Sequence, residues 1–153
     1  MFEIPPGLYS HRFSGSAMDR NTSPNQLVGL GYMRVTTTAD GISVSGGQDS
    51  AFLPLKGSNA AVHHARFTLA GNATRRAGEP SWTARIIFTQ IEGESRQVLQ
   101  GDFALVCGGD DSRFWLISTG SILLSGGGAA APEAVSGELV RLPDELAARL
   151  DIG

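Results

Sequence analysis

The chain is poor in the residues that announce chemistry. It has one cysteine, Cys107, so it can form no internal disulfide. That residue is expected as a small apolar side chain at a strand end, because no neighbouring base or positive charge would make it a thiolate. Lysine occurs once, at Lys56, and every other basic residue is arginine. A formal charge of −3 and a pI near 5.5 leave no excess of positive charge for a nucleic-acid face. No apolar run approaches the about 18 residues of a membrane span. The N-terminal stretch MFEIPPGLYSHRF lacks the apolar core of a secretion signal. The expectation is a cytoplasmic protein with neither membrane nor nucleic-acid partner.

Catalytic and metal motifs are scarce too. His11, His63 and His64 are the only histidines. Adjacent residues of a strand point to opposite faces, so His63 and His64 make a poor chelating pair, and no cysteine, histidine or aspartate spacing suits zinc. Gly126-Gly127-Gly128 is not followed by the lysine and hydroxyl of a phosphate loop. No Gly-x-Ser-x-Gly elbow occurs. No metal or cofactor is expected.

What the chain has is alternation. The stretch 81–106, SWTARIIFTQIEGESRQVLQGDFALV, predicts a long β-hairpin. Trp82, Ala84, Ile86 and Phe88 share one face of its first arm, as Leu99, Phe103, Leu105 and Cys107 do on the second. Glu92-Gly93-Glu94-Ser95 supplies the reversal between them.

Similar runs precede it. Leu8–Ser16 is a strand candidate with Tyr9, His11 and Phe13 on one face, followed by a polar loop over 17–26. A second strand runs from Leu27 to Thr38, and Asp40-Gly41 turns it into a third that starts at Ile42 and ends at Gly46-Gly47. Residues 51–55 form a separate edge strand, since Pro54 disfavours a central position. Val62–Ala70 places His63, Ala65, Phe67 and Leu69 on one face. Arg113–Leu124 is apolar on both faces, with Trp115, Ile117 and Leu123 on one and Phe114, Leu116, Ile122 and Leu124 on the other.

No helix-period segment interrupts these strands before residue 125. The fold class is therefore all-β, a closed antiparallel meander barrel of about eight strands, with a two-sheet sandwich as the alternative. Three parts are expected: a barrel over 1–124, a Gly/Ala-rich linker over 125–138, and a tail over 139–153. In the tail, Pro143, Asp144 and Glu145 start a short helix of roughly two turns. Leu139, Val140, Leu142, Leu146 and Leu150 are expected to dock it on the barrel.

GLYSHRFSG (7–15), LVGLGYMRVTTTADGISVSGG (27–47) and ARFTLAG (65–71) together resemble a widespread bacterial group thought to form lipocalin-like or allene-oxide-cyclase-like barrels. The resemblance covers about half the chain and implies fold without chemistry. TADGISVSG (38–46), SWTARIIF (81–88), LQGDF (99–103) and FWLISTG (114–120) resemble successive strands of avidin-type barrels. Trp82 and Trp115 stand where that family has a strand tryptophan and a tryptophan shared between subunits. GLGYMRV lacks the asparagine and serine that hold the biotin ring there, and Phe88 stands near another pocket tryptophan. This resemblance implies the barrel and not biotin binding.

Three functions remain open. The first is a binding module for a small, largely apolar ligand, with lumen candidates Tyr9, His11, His63, Phe67, Trp82, Phe88 and Phe103. The second is a cofactor-free cyclase or isomerase using Tyr9, His11 and His63. The third is a structural or interaction domain with a filled lumen. The two-sided strand around Trp115, Ile117 and Leu123 also predicts a homo-oligomer.

Overall fold

A computed structural model describes residues 3–19, 24–54, 63–92, 97–110, 112–120, 122–126 and 130–150. Nine strands make one antiparallel sheet: β1 Gly7–Asp19, β2 Pro24–Thr37, β3 Ile42–Pro54, β4 His63–Thr74, β5 Trp82–Glu92, β6 Gln97–Cys107, β7 Arg113–Ser118, β8 Leu123–Gly126 and β9 Ala130–Arg141. The first six pair in sequence order, β7 and β8 take opposite ends of β6, and β9 joins β7 back to β1. With β7 and β8 sharing one stave, this is the expected closed eight-strand meander barrel. Closure through β9 leaves little exposed sheet edge, which limits edge-to-edge aggregation; among the described residues β8 pairs with β6 alone.

Alternation decides which side chains enter. On β5 burial alternates without a fault from Trp82 to Gln90, with Ala84, Ile86 and Phe88 inside. Tyr9, His11 and Phe13 enter from β1, Met33 and Val35 from β2, Ile42 and Val44 from β3, and Phe67 and Leu69 from β4. Leu99, Phe103 and Leu105 enter from β6. Cys107 does not follow them: it is exposed, because β6 ends there beyond the packed interior.

Several expected boundaries move. β1 and β2 extend into the expected polar loop, to Asp19 and from Pro24. β3 does not stop at Gly46-Gly47. It continues to Pro54 along β2, so 51–54 belong to a central strand and not to a separate edge. Pro54 is compatible with this because it is the last residue of the strand and pairs on one side only. The run from Arg113 is broken at Thr119-Gly120, where the Thr119 N–H donates to the Asp102 carbonyl at 2.9 Å.

The largest correction is at the expected linker. Residues 125–138 hold the end of β8 and most of β9, so the division into barrel, linker and tail does not hold. Composition misleads because β9 needs few large side chains. It is hydrogen-bonded to β1 along its length and to β7 from Ser136 to Val140, and its inward residues are Val135, Gly137 and Leu139. The Phe13 ring fills the space over Gly137, where an added Cβ would lie 1.8 Å from Phe13 Cδ1. Leu139 is therefore fully buried as a strand residue.

The tail helix α1, Asp144–Ala147, is one turn instead of two. It contacts β1, and the Leu142 N–H donates to the Leu8 carbonyl at 2.8 Å. Leu8 faces outward on β1 yet is buried, at the end of the strand that α1 contacts. The expected docking of the later leucines is only partial, since Leu146 and Leu150 remain 44% and 41% exposed.

The turns after β2, β4 and β6, the segment 3–6 and α1 lie at one end, the floor of the barrel. There the segment 3–6 crosses the interior, with Ile4 in the core and Tyr9 Oη donating to the Pro5 carbonyl at 2.6 Å. Arg141 donates to the Pro6 carbonyl at 2.9 and 3.1 Å. Arg75 pairs with Glu3 at 2.5 Å and lies 5.0 Å from the Trp82 ring centroid, a cation–π contact over the floor.

Candidate functional site

Polar side chains enter the barrel only toward the far end among the described residues: His11, Gln48, Ser50 and Gln90 are its buried polar or charged residues. The ladders explain how three of them meet. His11 pairs across to Gly31, Gly31 to Gln48, Gln48 to Phe67 and Phe67 to Gln90. With no side chain at Gly31, His11 and Gln48 face each other across β2. Gly29, the next inward position, makes room for Gln48, whose Nε2 would lie 2.5 Å from an added Cβ. Ser50 stands beyond Gln48 and accepts a hydrogen bond from Gln48 Nε2 at 2.7 Å.

This belt is incompletely satisfied. Both nitrogens of His11 and Gln48 Oε1 are buried without a hydrogen-bond partner. Gln48 lies near enough to favour protonated His11 slightly, yet no bond of acceptable geometry joins them. Burial dominates and lowers the His11 pKa from 6.5 to about 4, so the imidazole is neutral near pH 7. Neutral imidazole offers one donor and one acceptor, and Gln48 Oε1 offers a second acceptor. Gln90 Nε2 instead donates to the Glu92 carbonyl at 3.2 Å.

Aromatic rings back the belt. His11 stacks on Phe13 with centroids 4.2 Å apart and planes 9° apart. Phe13 meets Phe88 edge-on at 6.4 Å, and Phe88 meets Phe103 at 6.1 Å. Of the lumen candidates, His11, Phe67, Phe88 and Phe103 are therefore inside, with His11 and Phe67 in one row. Tyr9 and Trp82 are also buried, but at the floor. The Tyr9 hydroxyl is spent on Pro5, and burial raises its pKa to about 12 against the opposing pull of Arg141. The structure does not bring that hydroxyl to His11. Trp82 lies under Arg75 with its Nε1 buried and unpartnered. His63 pairs with Phe52 on β4, but its side chain lies outside the described residues.

The oligomer candidates face outward. Trp115 and Ile117 are 40% and 44% exposed, whereas Phe114 and Leu116 are buried. Leu123 lies on β8, and its side chain is outside the described residues.

Sequence reasoning missed Gln48, Ser50 and Gln90. The signal is the unbroken parity Ile42, Val44, Gly46, Gln48, Ser50, which the turn-like pair Gly46-Gly47 obscures. No group of three or more possible metal ligands occurs among the described residues. No helix among them is long and apolar enough to cross a membrane.

Fold and interior together define a closed antiparallel barrel with an apolar floor and a partly unsatisfied polar belt above it. Comparison with protein-family models, with curated proteins and with solved structures finds no match for this chain.

Proposed function

We propose that the chain is a binding module whose interior, toward the far end, takes a small, neutral, largely apolar molecule carrying one hydroxyl or amide group. The observation that carries this reading is the set of buried, unpartnered atoms on His11 and Gln48 beside the Phe13–Phe88–Phe103 rings. Each buried polar group without a partner costs about 1–3 kcal/mol, and a ligand that supplies the missing bonds recovers that cost. The neutral imidazole selects against a charged ligand, which would enter the apolar interior without a counter-charge. The lipocalin-like and allene-oxide-cyclase-like resemblances fit a barrel used in this way.

Binding is favoured over a cyclase or isomerase by the state of the same groups. A general base is most effective with a pKa near the working pH, and that of His11 is near 4. The Tyr9 hydroxyl is committed to Pro5 and holds its proton to about pH 12.

Nuclear magnetic resonance with 4-methylphenol and toluene as probes tests the reading. The phenol is expected to shift the His11 ring and Gln48 amide resonances, and to bind at least about tenfold more tightly than toluene, as one buried hydrogen bond allows. His11→Phe should abolish that preference. If neither the phenol nor a set of neutral alcohols and amides shifts these resonances at millimolar concentration, the interior is simply filled core.

A further inference from the structure

We propose that the outer wall centred on Leu30 is a self-association surface, built for a second copy of this chain related by a two-fold axis running along β2. Leu30 is 55% exposed, the highest value among the exposed large hydrophobic residues. It stands as a ridge between two hollows of about 340 and 410 Å³, both of which it lines together with Gly31. Val28 and Tyr32, two residues away on the same outward face of β2, are half-buried, so the ridge continues along the strand.

The charges beside this ridge indicate what covers it. One outward row of paired residues runs Glu138, Arg12, Leu30, Asp49, Arg66 across β9, β1, β2, β3 and β4. Its signs are minus, plus, neutral, minus, plus, and adjacent strands are about 4.8 Å apart. Turning the row about an axis along β2 exchanges its two arms. Arg12 then faces Asp49 of the second copy and Asp49 faces its Arg12, while Leu30 meets Leu30 on the axis. A two-fold axis across the strands would instead set Arg12 against Arg12 and Asp49 against Asp49. The pattern thus selects one orientation, the self-complementary one an isologous dimer requires.

The ion pairs within the chain leave the arrangement available. Arg66 bonds Asp49 at 2.8 Å and Glu92 at 3.3 Å, and Arg113 bonds Glu138 at 3.0 Å, all on exposed or half-exposed groups. Arg12 is exposed and takes part in no ion pair among the described residues. The wall around Trp115 lacks this complementarity. Its flanking outward residues are Val106 on one side and Glu138 on the other, so an axis along β7 would press a carboxylate onto an aliphatic side chain. Self-association therefore belongs to β2 and not to β7.

Sedimentation equilibrium on the full chain and a set of surface variants tests this. The wild type is expected to dimerise, and Leu30→Glu to sediment as a monomer that keeps the thermal midpoint the wild type shows when diluted to monomer. Arg12→Glu and Asp49→Arg should each weaken the dimer by about tenfold or more, because each sets like charges together across the axis. The double variant R12E/D49R restores opposite signs and should recover most of that loss. A monomeric wild type at millimolar concentration overturns the proposal. So does a double variant no tighter than the worse single one, or a dimer broken by Trp115→Glu and untouched by Leu30→Glu.

Discussion

The floor of the barrel and the belt above it are built from the same strands and solve opposite problems. At the floor the inward groups are aliphatic or aromatic; the Tyr9 hydroxyl is used, whereas Trp82 Nε1 is buried without a partner. Tyr9 is fully buried, packs edge-on against Phe114 at 5.0 Å and gives its hydroxyl to Pro5. Two residues further along β1, His11 is as deeply enclosed but leaves both nitrogens unpaired. Burial raises the pKa of Tyr9 and lowers that of His11, in each case by penalising the charged form. The floor spends the Tyr9 hydroxyl on holding the chain together. The belt keeps its polar atoms at a cost in stability, which is the usual mark of a functional site.

The largest expected effect tests whether the aromatic column joins the two regions. Phe103→Ala should cost about 3–5 kcal/mol in chemical denaturation, the range for a buried phenylalanine whose cavity cannot collapse. A loss under about 1 kcal/mol would mean that the interior repacks freely and that floor and belt are not mechanically distinct.

Acid should strike the belt. The unfolded chain takes up the His11 proton near 6.5 and the folded chain only near 4, so stability is fully present above 6.5 and falls as the pH drops toward 4. Over that window the loss is about 3 kcal/mol. His11→Phe should remove this dependence, measured as denaturation midpoint against pH. An unchanged acid limb would place the titration elsewhere.

Gly137→Ala probes the contact between Phe13 and β9. Its Cβ would meet the Phe13 ring and would lie 2.8 Å from the Arg12 carbonyl. Overpacking of this kind costs about 1–3 kcal/mol, and Phe13 should carry His11 with it, so the His11 resonances are expected to shift as well.

The smallest effect belongs to the floor. Tyr9→Phe removes one hydrogen bond and should cost about 1 kcal/mol near neutral pH. Because the folded chain holds the Tyr9 proton to about 12 and the unfolded chain only to 10.0, wild-type stability is full below 10 and falls as the pH rises toward 12. The Phe variant should lack that alkaline loss. An acid limb erased by changing His11 and an alkaline limb erased by changing Tyr9 would separate the two regions cleanly.

Much of the fold was legible where side chains alternate strongly. Trp82 to Phe88 and Leu99 to Leu105 could bury only one face, and that face became the core. Legibility failed where glycine and alanine replace large side chains. β9 resembles a linker because its neighbours supply its packing: Phe13 covers Gly137, and hydrogen bonds to β1 and β7 hold its backbone. The candidate site was half legible. His11, Phe67, Phe88 and Phe103 follow from parity, whereas Gln48 depends on carrying β3 past two glycines.

By itself the sequence determined which residues share a face, because the strand period is a property of the backbone and needs no partner. It therefore set the all-β class and the inward aromatic set. The tertiary structure decided which faces meet. Closure by β9, the meeting of His11 and Gln48 across Gly31 and the outward row from Glu138 to Arg66 all depend on register between strands distant in sequence. Register follows from the packing of the whole barrel, since a slip of one residue would turn every side chain of a strand to the wrong side.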